Sequence, residues 1–164
     1  MKTRKKEILT LSLGIAFLPP LWAVLAPYIG VSTGSVALIC AGIYVTNGNK
    51  QRDGMKIMLG LWCGDLWSVL SILIMESIKL NENLELFLTL SVLGFIAVVI
   101  ASALEKIIFL PSWLCGWAIG LTIMATESLM NIQGLSIQIA VAMAVGVWYV
   151  GAGVDLFTKF ILKR

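Results

Sequence analysis

The sequence predicts an all-α polytopic membrane protein. It has six transmembrane helices that form two inverted three-helix repeats within one domain, residues 1–164. Three observations lead there. First, 59% of the residues are hydrophobic and 13% are charged, with a mean hydropathy of +0.96, whereas about a quarter of residues are charged in soluble domains. Second, the apolar residues lie in six continuous runs without alternation, the pattern of spanning helices and not of a barrel. Third, eleven of the twelve Lys and Arg residues occupy alternate gaps between those runs. Lys2, Arg4, Lys5 and Lys6 precede the first run, and Lys50, Arg52 and Lys56 divide the second from the third. Lys106 follows the fourth, and Lys159, Lys163 and Arg164 close the sixth; only Lys79 lies in the other set of gaps. Cytoplasmic loops retain Lys and Arg, so both termini are placed in the cytoplasm. The net charge of +3 therefore reflects topology and is no nucleic-acid footprint.

Span one (residues 8–29) carries Pro19 and Pro20 in its interior. Proline lacks the ladder N–H, so the pair should kink the helix and free carbonyls. A neighbouring helix, a hydroxyl or a water-filled cavity must satisfy those groups. A basic start before an apolar run also has the form of a signal peptide. Removing it would leave five spans, and the small-residue stretch Val24-Leu25-Ala26 runs directly into Pro27, so this segment is read as a retained span. Span two (residues 32–46) opens Ser32-Thr33-Gly34-Ser35. Its length of about 22 Å at 1.5 Å per residue falls short of a hydrocarbon core of about 30 Å. Span three (residues 54–76) stacks Gly60, Gly64 and Ser68 on one face, with Trp62, Asp65 and Trp67 between them. A link near residues 78–83 separates the halves, approximately 1–78 and 79–164. Span four covers residues 84–104, with Glu85 at its start. Span five (residues 110–126) opens Leu110-Pro111-Ser112, where Pro suits a first turn, and repeats the small-residue ladder with Ser112, Gly116 and Gly120. Span six (residues 135–160) carries Ala142 and Gly146, then Gly151 and Gly153. Small residues at this spacing let helices approach in lipid. They serve packing within the chain or contact between copies.

Three spans per half is an odd number, so the second half starts on the opposite face, which makes any shared fold an inverted repeat. In each half the middle span is shortest and opens with helix-breaking residues. Short segments at matching places in inverted halves point to a transport site; an ordinary short helix in a thinned bilayer is the alternative.

Asp65 is the ionisable residue that demands an account. At the middle of span three an acid costs about 2.5–3.5 kcal/mol, so it must face protein or water. No basic residue is available at that depth. The carboxyl is either neutral and hydrogen-bonded to another helix or hydrated in a cavity. Trp62 and Trp67 are too central for an interfacial belt, and either pack as core or narrow a permeation path; Trp113 suits the belt. Glu127 closes span five on the outer side, where it is solvated or lends charge to an outer mouth. Asp155 pairs with Lys159 one turn on. The substrate-path candidates are Asp65, Trp62, Trp67, Ser35, Ser112 and Glu127, and the helix-packing residues are Gly60, Gly64, Gly116, Gly120 and Gly146. Cys40, Cys63 and Cys115 lie inside apolar runs and read as small apolar residues. Histidine is absent, so neither a metal site nor a cofactor is expected.

Several stretches carry a family likeness: the short second span leading to Tyr44-Val45-Thr46 and a glycine-containing loop, Gly64-Asp65-Leu66-Trp67, and Phe109-Leu110-Pro111 followed by Gly116. In these the chain resembles, over most of its length, the domain of unknown function 1097 family of small bacterial inner-membrane proteins. More distantly, span two, the basic loop from Lys50 to Arg52 and the glycine-rich span three are similar to the six-helix membrane unit of aromatic-acid exporters. The large cytoplasmic domain of many such exporters has no counterpart here. Neither resemblance implies a catalytic residue. The expected function is a channel or permease passing a small-molecule solute across the cytoplasmic membrane. A bilayer and further copies of the chain, as a homo-oligomer, are its expected partners. With no ATP-binding motif, no direct energy coupling through this chain is expected, and a titrating Asp65 would permit proton coupling. The competing reading is a non-transporting scaffold whose glycine ladders dock partner helices. No enzymatic activity is expected, because no nucleophile–base pair can be assembled.

Overall fold

The computed structural model describes the backbone of residues 2–48, 50–78 and 80–162, and the side chains of the same residues except 2–7 and 162. The side chains of Lys2, Arg4, Lys5 and Lys6, together with Lys79, Lys163 and Arg164, therefore lie outside the described residues. Among those described, the regular structure is all helical.

Helix α1 (Lys2–Leu25) runs through Pro19 and Pro20 as one continuous element and tightens into a 3₁₀ turn over Ala26–Ile29. Gly30 ends it at φ 79°, a left-handed conformation that favours glycine. Helix α2 (Val36–Thr46) has 11 residues. It starts four residues after the expected start of span two, because at the entry the Thr33, Gly34 and Ser35 carbonyls accept turn bonds from the Val36, Ala37 and Leu38 N–H groups. Ser35 sits at the N-cap but its side chain makes no cap bond. Helix α3 (Gly54–Ser77) and helix α4 (Glu82–Ala103) have 24 and 22 residues. The Asn81 side chain caps α4 by accepting from the Asn83 N–H. Helix α5 (Leu110–Met124) has 15 residues, with proline in its first turn.

The last run is the largest departure from the sequence reading. Helix α6 (Leu129–Val145) begins six residues before the drawn span, then passes through a π-helical stretch (Gly146–Ala152) into α7 (Gly153–Leu162). Among the described residues, four helical stretches are long and apolar enough to cross a membrane: Ile8–Ile29, Gln51–Ser77, Glu82–Ala103 and Leu129–Ile161. The chain is thus a multi-pass membrane protein. Segments two and five contract to α2 and α5, about 16 and 22 Å long at 1.5 Å per residue.

The helices gather into two compact units, one of Met1–Gly54 with Val141–Arg164 and the other of Met55–Ala140. In the first, Gly146 lies against Ala37 and Cys40 of α2, and Gly151 lies under the Tyr44 ring. Gly14 of α1 meets Val154 and Phe157 of α7. In the second, Gly60 lies against Ser112 and the Phe109 carbonyl, and Gly120 against Ser68. Gly64 faces the α5 backbone at Trp113, Gly116 and Trp117, while Gly116 faces the backbone of Leu61. A methyl group at Gly60, Gly64, Gly116 or Gly146 would collide with a backbone atom, so these are contacts only glycine permits.

Both units therefore follow one plan. A short helix runs parallel to a long one, since contacts advance from Ala37 to Tyr44 as they advance from Gly146 to Gly151, and from Ser112 to Gly120 as they advance from Gly60 to Ser68. In each unit the first and short helices of one sequence half pack on the closing helix of the other half.

Candidate functional site

Because one residue advances a helix by about 100°, the position after Gly64 turns away from α5. Asp65 thereby faces the first part of α6, where the Ser136 hydroxyl donates to Asp65 Oδ2 at 2.5 Å. Trp62, one turn earlier on α3, donates from Nε1 to the Ala140 carbonyl at 3.0 Å. Ser136 and Ala140 are likewise one turn apart, so α3 and α6 meet antiparallel along this face. Asp65 is 2% exposed and Ser136 8%. The second oxygen, Asp65 Oδ1, is buried with no hydrogen-bond partner among the described residues. No Lys or Arg contacts the pair among those residues.

A set of buried hydroxyls lines the α3–α5 contact of the same unit. Ser68 donates to the Asp65 main-chain carbonyl at 2.6 Å. Ser71 donates to the Trp67 carbonyl at 2.7 Å and accepts from Trp117 Nε1 at 2.8 Å. Ser112 donates to the Phe109 carbonyl at 2.7 Å. Each hydroxyl is spent on a backbone carbonyl of its own helix or its entry, the usual way lipid-embedded helices satisfy serine.

The six path candidates do not converge on one place. Asp65 and Trp62 share the α6-facing side of α3. Trp67 instead donates to the Leu93 carbonyl on α4 at 3.1 Å and stacks edge-to-face on Trp113, ring centroids 5.3 Å apart. Ser112 is buried. Ser35 lies in the other unit, exposed on an apolar groove of about 300 Å³ beside Pro19, Pro20 and Trp22. Glu127 is exposed beside a shallow depression of about 340 Å³ with Asn131, Gly134 and Gln138, and accepts from Asn131 Nδ2 at 3.5 Å. Trp113, expected at the interface, is 3% exposed within the packed unit. Asp155 pairs with Lys159 at 2.6 Å. None of the three cysteines is in a disulfide, and no group of three metal-ligating acid, cysteine or histidine side chains forms among the described residues.

Ser136 is the residue that sequence reasoning missed. It is the lone serine or threonine in the apolar stretch between Ser128 and Thr158, which was the available signal. The π-helical stretch was also missed, and the glycine cluster at 146, 151 and 153 was its only trace. The family model described as protein of unknown function (DUF1097) matches residues 12–159. No curated protein and no solved structure matches the chain.

Proposed function

We propose that this chain, which belongs to the DUF1097 family, passes a small solute across the bacterial cytoplasmic membrane as a channel or permease. In this reading the chain crosses six times with both termini inside, its halves are inverted repeats, and copies assemble as a homo-oligomer. The observation that carries it is the common plan of the two units. A short helix lies parallel to a long helix in both, at backbone contacts that only glycine allows. If every helix crosses, direction reverses at each connection. Helices two and six then run the same way, as do three and five, and both pairs are the ones seen in parallel contact. Foreshortened helices at matching places in inverted halves are a recurrent feature of membrane transport sites. Asp65, with Ser136 and Trp62 beside it, supplies the polar centre.

The glycine faces also weigh against the scaffold alternative. Gly60, Gly64, Gly116, Gly120 and Gly146 already face side chains or backbone of the same chain, which leaves these faces closed to a partner helix. Flux into liposomes carrying the purified protein tests the reading, using a panel of small neutral and charged solutes. Passage above the rate of empty vesicles, altered by Asp65→Asn, is the expected result. Rates equal to empty vesicles across the panel would end the transport assignment and leave the scaffold standing.

A further inference from the structure

We propose that Asp65 is the proton-binding group of this permease, protonated at rest and positioned by Ser136, and that it releases and regains its proton in each transport cycle. The inference rests on the transport reading above. It starts from the two carboxyl oxygens, which are unequally served: Oδ2 accepts from Ser136, whereas Oδ1 is buried without a partner. An ionised carboxylate in that setting would hold one hydrogen bond and no counter-charge, which a low-dielectric site penalises heavily. Placing a proton on the carboxyl removes the charge and leaves only one hydroxyl lacking an acceptor.

The surrounding titratable groups supply no compensation. On α3 these are Cys63, Lys56 and Glu76, the last two about 13 and 16 Å away along the helix at 1.5 Å per residue. Helix α5 contributes Cys115, α4 contributes Glu82 and Glu85 in its first turn, and α6 contributes none, Glu127 preceding it. Cys63 packs against the apolar cluster of Ala97, Ala101 and Trp113. A metal cation fits the site poorly. Hard cations need six or more oxygens, but Ser68 and Ser112 are turned to backbone carbonyls and wedged against Gly120 and Gly60. The donors that remain, two carboxyl oxygens and Ser136, suit a proton. On release the proton passes to water or to a basic atom of the solute, and no electron moves.

Dicyclohexylcarbodiimide provides the test, because it reacts with a protonated carboxyl in apolar surroundings. The acid proton moves to a carbodiimide nitrogen, the carboxyl oxygen bonds the central carbon, and acyl migration leaves a stable N-acylurea. Peptide mapping of the liposome-embedded protein at neutral pH should place one adduct on Asp65. A water-soluble carbodiimide should leave it unmodified, Asp65→Asn should lose the adduct, and Ser136→Ala should keep it. In parallel, an imposed pH gradient should accelerate solute flux in the native protein and not in Asp65→Asn. Flux that ignores the gradient, or an unlabelled Asp65 in flux-competent vesicles, overturns the proton assignment and spares transport. Absence of flux for every solute overturns both, whatever the labelling.

Discussion

Asp65 and Ser136 stand 71 positions apart in the chain yet share one hydrogen bond, and the bond's value sets the first expectation. Side-chain bonds between membrane helices contribute about 0.5–2 kcal/mol. Ser136→Ala should lower the melting midpoint of the detergent-solubilised protein by that order, read from tryptophan fluorescence; an unchanged midpoint would show the bond absent in solution. Trp117→Phe removes the donor to the buried Ser71 hydroxyl and should cost about 1 kcal/mol in the same assay. The two residues differed in how openly the sequence declared them. Asp65 was legible because an acid in an apolar run has a large, known cost. Ser136 was not, since one hydroxyl on an apolar helix ordinarily bonds its own backbone. Trp67 packs between the Leu93 carbonyl and Trp113, and Ser112 against Gly60; position along a span does not say which neighbour a side chain faces.

At the scale of the helix, the glycine contacts divide sharply between filled and open positions. A methyl group at Gly64 would meet the backbone of α5, whereas one at Gly42 or Gly134 meets nothing within 4 Å. Gly64→Ala should therefore destabilise by about 1–3 kcal/mol through overpacking. Gly42→Ala should stay within about 1 kcal/mol of the native protein. Thermal unfolding in detergent compares them directly. The π-helical stretch has its own expectation. At the end of the contact in the second unit, Gly120 meets Ser68, four residues after Gly64; in the first, bulky Tyr44 meets Gly151, five residues after Gly146. The extra residue makes room for the ring. Gly151→Ala should be destabilising in the native background and cheaper in Tyr44→Ala, with a coupling of about 0.5–3 kcal/mol in the double-mutant cycle. The four long helices were readable from apolar length alone. Their ends were less so: Asn131 and Gln133 hid the first turns of α6, and Gly34 with its hydroxyl neighbours shortened α2. The inserted residue left no periodic trace, because a run that is apolar on all sides has no phase to shift.

For the whole molecule, topology is the property to measure. In a background lacking Cys40, Cys63 and Cys115, single cysteines at Ser32, Lys50, Lys106 and Ser128 should label from alternating sides, Lys50 and Lys106 inside, Ser32 and Ser128 outside. If Ser32 and Lys50 label from one side, α2 enters and leaves by the same face and the six-crossing proposal is lost. Charge placement in the gaps is the basis of this expected order, but nothing in the sequence told which helix packs on which. Exchange of closing helices between the halves depends on contacts distant in sequence, across 52 positions between Gly60 and Ser112 and 109 between Ala37 and Gly146, and local patterns do not encode them. That exchange dictates a schedule for biogenesis. When a ribosome has delivered α1 and α2 to the membrane, the surface they require still lies far inside the exit tunnel or unmade, and α3 must wait for α5 in the same way. Early segments stay exposed to proteases and chaperones until the C-terminus arrives, so a premature stop after residue 128 strands the N-terminal pair. Co-expressing residues 129–164 with the truncated chain is the natural rescue.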